Sequence, residues 1–261
     1  MKKKICFIII SVLILLPLTG IAEEIDVNSI LNELISGEQT SAVPNITVGN
    51  FDLVWSVDTY TPFDYIGRKL PVMGSKVTVD AIVKVSGGSV KSLKYSWFLE
   101  DIFQQNKSGY GKTSFYFYVQ QRSRAYHTVR LQVFNEDRTV FEEKSIQIPI
   151  TEPELVVYPS NGNSYFLNQA SKVSAVVSNQ KFSFIAKPYF FSINKLTDLI
   201  FEWNVAGQNP IISSNYNASI LDLNVTGKNN NQASEQNLWV SVKNSQTEEQ
   251  NAFKSIKINI Y

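Results

Sequence analysis

The chain has 261 residues, 44% of them hydrophobic, with 24 lysines and arginines against 23 aspartates and glutamates, a single histidine and a single cysteine. So balanced a charge leaves no electrostatic footprint for nucleic acid, and one histidine with one cysteine is too small a ligand set for a transition-metal site. No cofactor is expected, and the length is enough for two domains of ordinary size.

The N-terminus reads MKKKICFIIISVLILLPLTGIAEE, with Lys2, Lys3 and Lys4 ahead of an apolar run from Ile5 to Leu18. Such a run of about fourteen residues falls short of the roughly twenty that span a bilayer. Pro17 breaks it, and Gly20 and Ala22 are small residues at −3 and −1 of a cleavage after Ala22. Residues 1–22 are therefore expected to be a secretory signal peptide, with an uncleaved signal anchor as the alternative and the only route to a membrane. Either way the body of the chain works outside the cytoplasm. LPLTG (Leu16 to Gly20) matches a sortase sorting pattern, but no apolar tail and basic cluster of the sorting type follow it. Cys6 leaves with the signal, so stability must come from buried apolar surface rather than disulfides. Without Lys2, Lys3 and Lys4, 21 basic residues face 23 acidic ones, a net charge near −2.

Residues 23–49 are expected to be a tether. Its one helical pattern is Ile25 to Ile35, where Ile30, Leu31, Leu34 and Ile35 share a face behind Ser29 as a cap. Beyond it the apolar positions alternate with period two. Val77, Val79, Ala81 and Val83 are followed by Leu93, Tyr95 and Trp97, then by Phe115, Phe117 and Val119, by Val129, Leu131 and Val133, and by Ile146, Ile148 and Ile150. Turn formers such as Ser86-Gly87-Gly88 and Asn135-Glu136-Asp137 bound the runs. These are half-buried strands spaced as in a sandwich.

Laid on itself, the chain repeats. Val77, Val79 and Ala81 correspond to Phe182, Phe184 and Ala186 at an offset of 105, and Leu93, Tyr95 and Trp97 to Leu199, Phe201 and Trp203 at 106. Phe115, Phe117 and Val119 correspond to Leu221, Leu223 and Val225 at 106. Val129 to Asn135 correspond to Leu238 to Asn244 at 109, and KSIxIxI recurs from Lys144 to Lys254 at 110. Most of the drift falls in the polar loop Gly227 to Asn237, where insertions are tolerated. Two copies of one β domain are expected, at 50–150 and 154–261, joined by the short Thr151-Glu152-Pro153.

The order of these signals resembles the Ig-like β-sandwich superfamily and, within it, the PKD-like modules of bacterial envelope proteins. The resemblance rests on GSKVTVDA (Gly74 to Ala81) as a second strand, YSW (Tyr95 to Trp97) and FEW (Phe201 to Trp203) as a third strand with the core tryptophan, and VRLQVFN (Val129 to Asn135) with LWVSVKN (Leu238 to Asn244) as a sixth. It covers roughly residues 50–261 and implies an all-β chain of two tandem Ig-like domains. The chain departs from the PKD pattern after the tryptophan, with FLED (Phe98 to Asp101) and NVAG (Asn204 to Gly207) in place of a DFGDG-like turn.

The motif SGYGKTSFYFYV (Ser108 to Val119) contains a GKT suggestive of a phosphate-binding loop. A P-loop needs GxxxxGK[ST] leading from strand to helix. Here Asn106 stands where the first glycine belongs, and the residues after Thr113 alternate as a strand. The matching stretch of the repeat, SNYNASILDLNV (Ser214 to Val225), keeps Tyr216 for Tyr110 but has Ala218 for Lys112 and asparagines for both glycines. The shared feature is read as residues that tolerate positive φ around a tyrosine. Tyr110 and Tyr216, like Trp97 and Trp203, are expected to be structural core.

No catalytic group stands out. His127 is in phase with Val129 and Leu131 and points inward, without a GxSxG-like elbow. Glu142-Glu143 and Glu248-Glu249 are adjacent on strands and so face opposite ways, unlike a glycosidase dyad. Asp101, Asp137 and Asp222 lack the dense DxDxD spacing of a calcium loop. Binding is the better class. KPYFFSINK places Tyr189, Phe190 and Phe191 in succession, so a two-residue period cannot bury all three on one face, and Tyr60, Phe63 and Tyr65 pose the same question. Tyr189, Phe190, Phe191 and Tyr65 are thus candidate partner contacts, weighed against packing at the domain joint. Sequons at Asn45, Asn106, Asn217 and Asn224 matter only in a eukaryotic secretory pathway, and the lysine, asparagine and isoleucine usage looks bacterial.

The expectation is a non-catalytic structural or adhesive protein at a bacterial cell surface or envelope assembly, whose partner is a protein or a glycan. Its rivals are a carbohydrate-binding module using exposed aromatics and a secreted hydrolase.

Overall fold

The computed structural model describes residues 46–120, 125–160, 170, 173–177, 181–224 and 234–261. The signal segment, the helical pattern of the tether and Cys6 lie outside the described residues. No helix among those described is long and apolar enough to cross a membrane.

In the first half, β1 (Thr47–Val57) and β2 (Lys76–Ser86) are followed by β3 (Lys94–Leu99), β4 (Ile102–Phe103), β5 (Gly109–Tyr110), β6 (Ser114–Tyr118), β7 (Tyr126–Phe134) and β8 (Phe141–Pro149). One sheet has the order β1-β2-β6, the other β4-β3-β7-β8, with β5 added to β3. The alternating residues meet between the sheets. Val77, Val79, Phe115 and Phe117 face Leu93, Tyr95, Trp97, Val129, Leu131, Val133 and Ile148 in one buried cluster. β1 begins inside the segment read as tether, because Thr47 and Val48 already pair with Ser86 and Val85 before the register shifts ahead of Phe51.

The second half repeats the plan with β9 (Glu154–Ser160), β10 (Val173–Val176), β11 (Lys181–Tyr189), β12 (Leu199–Val205), β13 (Ile211–Ser213), β14 (Ile220–Asn224), β15 (Ser234–Asn244) and β16 (Asn251–Ile260). Its sheets run β14-β11-β9 and β10-β16-β15-β12-β13, and the added β10 lies parallel to β16. A second buried cluster centres on Phe184, Phe201, Trp203, Leu238, Val240 and Ile256. Antiparallel strands β1, β2 and β6 in one sheet, facing β4, β3, β7 and β8 in the other across a shared core, define an Ig-like sandwich. The chain is all-β, with two such sandwiches in tandem.

The copies share one polar contact at the centre of each core. The indole of Trp97 donates to the Lys112 carbonyl at 2.8 Å, and that of Trp203 to the Ala218 carbonyl at 2.9 Å. A buried indole N–H needs an acceptor, and the two acceptors occupy equivalent positions of the repeat. Next to them, the amides of Ala81 and Ala186 donate to the carbonyls of Thr113 and Ser219, both at 2.8 Å.

That geometry corrects the reading of the GKT turn. Trp97 and Trp203 are buried, but Tyr110 is 53% and Tyr216 84% exposed, so neither tyrosine belongs to a core. Tyr110 stands opposite Lys94 across β3–β5. Cross-strand partners share a face, so it looks outward as Lys94 does, while Tyr95 looks in. The turns also differ in backbone. Gly109 and Gly111 have φ of 142° and 65°, whereas Asn215 and Asn217 stay at negative φ. The second turn is held instead by an Asx contact, the Asn217 amide donating to the Asn215 side-chain oxygen at 2.9 Å. The feature preserved in both copies is a carbonyl aimed at a tryptophan.

Candidate functional site

His127, the single histidine, is buried on the edge of the first core, its ring edge-on to Phe117 at 5.1 Å. Its Nδ1 lies 2.8 Å from a Glu100 carboxylate oxygen, which also accepts from the Thr128 amide at 3.1 Å. Glu100 and Asp101 turn the β3–β4 hairpin at φ of 52° and 63°, which brings the carboxylate under the ring. Nε2 is enclosed without a hydrogen-bond partner. The histidine is thus held by local packing. Asp101 pairs with Arg130 and Asp222 with Lys181. Among the described residues no three metal-ligating side chains come together.

The aromatic candidates converge at the joint between the sandwiches. The loop connecting β1 to β2 reaches the second sandwich, where the Tyr60 amide donates to the Phe191 carbonyl at 2.6 Å and the Phe190 amide to the Tyr60 carbonyl at 2.7 Å. Phe190 has φ of 64°. This left-handed residue, uncommon for a bulky side chain, interrupts the two-residue period. It lets Phe190 and Phe191 both turn inward, 5% and 0% exposed, so they are not contacts for an external partner. Tyr65 meets Tyr189 and Phe190 edge-on at 5.6 and 5.7 Å. Both tyrosines are half-buried and spent on the joint.

Polar contacts reinforce it. The Lys187 ammonium, only 11% exposed, pairs with Asp64 at 2.6 Å. The hydrogen bond from Lys187 holds the Asp64 carboxyl below its ordinary value of 3.8. Burial, then the hydrogen bond with Tyr158, pushes the Tyr189 phenol up. Burial, with Asp64 next, does the same to Tyr60. On the other side, buried Gln250 donates to the Met73 carbonyl at 2.6 Å, and its side-chain oxygen accepts from Ser192 and from buried Asn244 at 2.8 and 3.0 Å. A side chain at Gly74, φ 83°, would be strained and would press on Gln250. The loop is also clamped from behind, with Arg68 3.5 Å over the Trp55 ring and donating to the Trp55 carbonyl at 2.6 Å. Its tip holds Phe63 and Ile66 fully in solvent.

A concavity lies on the outward face of the sheet β10-β16-β15-β12-β13, a hollow of about 210 Å³ lined by Glu202, Asn204, Trp239, Ser241 and Phe253. Pairing dictates it. Glu202 stands opposite Ser241 and Asn204 opposite Trp239 across β12–β15, and Ser241 opposite Phe253 across β15–β16. Small Ser241 forms the floor, and the larger side chains form the walls. The alternation of Leu238, Val240 and Val242 already places Trp239 outward, a signal available in the sequence but overshadowed there by the Tyr189–Phe191 run.

No protein-family model matches the chain, and no curated protein matches it either. Among solved structures, the three N-terminal domains of the bacteriophage RB49 highly immunogenic outer capsid protein (Hoc) align at 15% identity and a TM-score of 0.45, over 81% of this chain and 59% of that one. An ICAM-5 D1–D4 ectodomain fragment aligns at 11% identity and 0.29, over 81% and 53%. A C-terminal fragment of intimin, in complex with the intimin-binding domain of its receptor Tir, aligns at 10% and 0.25, over 80% and 63%. The chain spans between half and two thirds of these chains, and its tandem Ig-like fold rests on its own strand order.

Proposed function

We propose that the chain is a non-catalytic, extracytoplasmic adhesive or spacing protein of a bacterial cell surface or envelope assembly, in which two Ig-like sandwiches of the PKD-like kind present loops and sheet faces at a set separation. The observation that carries this reading is the joint. A backbone bridge, an ion pair and the buried amide of Gln250 tie the sandwiches through residues far apart in sequence, which is how a chain fixes the spacing of two modules. Phe63 and Ile66, held in solvent by a loop clamped from behind, suit contact with another molecule. His127, enclosed against Phe117 and Glu100, supplies no accessible base in this reading.

The test measures the distance between spin labels at Lys84→Cys and Asn224→Cys in a full chain carrying Cys6→Ser. One narrow distribution is expected, broadened when Lys187→Ala and Gln250→Ala are combined. A broad distribution in the parent chain would remove the spacer reading. Turnover in a broad hydrolase screen, lost in His127→Ala, would replace it with a secreted enzyme.

A further inference from the structure

The five side chains around the outward hollow of the second sandwich have exact counterparts in the first. By the offsets of the repeat, Glu202, Asn204, Trp239, Ser241 and Phe253 correspond to Ser96, Phe98, Arg130, Gln132 and Glu143. The pairings agree. Phe98 faces Arg130 and Gln132 faces Glu143, just as Asn204 faces Trp239 and Ser241 faces Phe253.

In the first sandwich this face is closed by the chain itself. The Arg130 guanidinium lies 4.1 Å over the Phe98 ring and is gripped by Asp101 at 3.2 Å and Glu143 at 3.0 Å. Gln132 donates to the same Glu143 oxygen at 2.6 Å. The hydrogen bond from Gln132, then that from Arg130, holds the Glu143 carboxyl below its usual range. A cation on an aromatic ring between carboxylates leaves this surface satisfied.

The second sandwich has aromatic and acidic groups at other positions of the same face, Trp239 for Arg130, Phe253 for Glu143 and Glu202 for Ser96, and no cation among the five. Trp239 and Phe253 stand on two sides of Ser241, and Glu202 places a carboxylate on a third. Among the described residues, Glu202, Asn204, Trp239 and Ser241 have no side-chain hydrogen bond or ion pair, and Lys243, the nearest cation along β15, is not paired with Glu202. Two aromatic rings and an unpaired carboxylate around a small floor fit a guanidinium or alkylammonium group, since aromatic rings attract a cation and the carboxylate and amide oxygens accept its N–H groups.

We infer that this hollow receives an arginine side chain of a basic protein partner, which supplies from outside the cation that Arg130 supplies from within to the first sandwich. The inference rests on reading the chain as a binding protein, but its test is separate from the inter-sandwich distance, so either can fail alone.

The test titrates the full chain with N-acetyl-arginine amide, with methyl glucoside as the neutral counterpart, while following the backbone amide resonance of Ser241 on the floor of the hollow. The arginine derivative is expected to shift that resonance with an affinity of about millimolar, as suits one shallow contact, and to weaken as salt rises. Trp239→Ala and Glu202→Gln should each reduce binding about tenfold. Trp239→Arg, which places a built-in guanidinium within reach of Glu202, should abolish binding while the thermal midpoint stays put, and Arg130→Ala should leave binding untouched. A larger response to methyl glucoside than to the arginine derivative would assign the hollow to a glycan and overturn the proposal. So would the absence of any cation-induced shift, or binding that survives Glu202→Gln unchanged.

Discussion

The hairpins that end the two sandwiches occupy the same place in the repeat and have opposite fates. In the first, Asn135 holds its own turn, its side-chain oxygen accepting from the Val140 amide at 3.0 Å, and the residues between stand in solvent. In the second, Asn244 and Gln250 are buried, bonded to each other, to Ser192 and across to Met73. The strands and the tryptophan contact are the same in both copies, so they are the framework. The turn, the outward face and the joint differ, so they are where the copies have diverged. A duplicated fold in this way supplies its own control, since a change at one position can be compared with the same change about 106 to 110 residues away.

The largest effect should fall on what the copies share. Trp97→Ala and Trp203→Ala are each expected to destabilise by roughly 3–5 kcal/mol, from the cavity and the unpaired carbonyl left behind. Chemical denaturation should show similar losses in the two variants, and a loss confined to one would end the idea of a common framework. Next come the hairpins. Asn244→Ala should cost about 1–3 kcal/mol because it strands buried partners, whereas Asn135→Ala should cost less than about 1 kcal/mol. Equal costs by thermal unfolding would mean the second hairpin has no added role.

The smallest effect concerns Lys187 and Asp64. The folded-state value of Asp64 is lowered from 3.8. Its contribution is therefore complete above that value and is lost as pH falls through the lower folded value. Asp64 is more than a third exposed, so solvent screening leaves a few tenths of a kcal/mol. Asp64→Asn should flatten the acid limb of stability by that amount, and an unchanged limb would show that the pair adds nothing to the joint.

Much of the framework is legible in the sequence because burial on one face of a strand imposes a period of two, and duplication writes that period twice. Phe182, Phe184 and Ala186 could be aligned with Val77, Val79 and Ala81 without any structure. The joint is not legible in that way. Residues 58 to 75 have no period, and their partners, Lys187, Phe191 and Gln250, lie beyond a whole domain of sequence. The inward turn of both phenylalanines depends on the backbone of Phe190, which no pattern of side chains announces. Tyr110 and Tyr216 misled for the converse reason: identity across the repeat marks them, but the preserved interaction belongs to the carbonyls of Lys112 and Ala218. Trp239 was within reach, since its neighbours Leu238 and Val240 already fix which way it points.

The bond from Gln250 to the Met73 carbonyl joins residues 177 apart, and that span has a consequence in time. This bond cannot form until the last hairpin of the second sandwich exists. Because loop-closure entropy rises only slowly with loop length, the delay follows from the order of synthesis more than from any thermodynamic penalty. During synthesis the first sandwich would be complete while its partner's docking surface is still absent. The Tyr60 to Met73 loop must then wait with Tyr65 uncovered, in the interval when a chaperone would find it most easily.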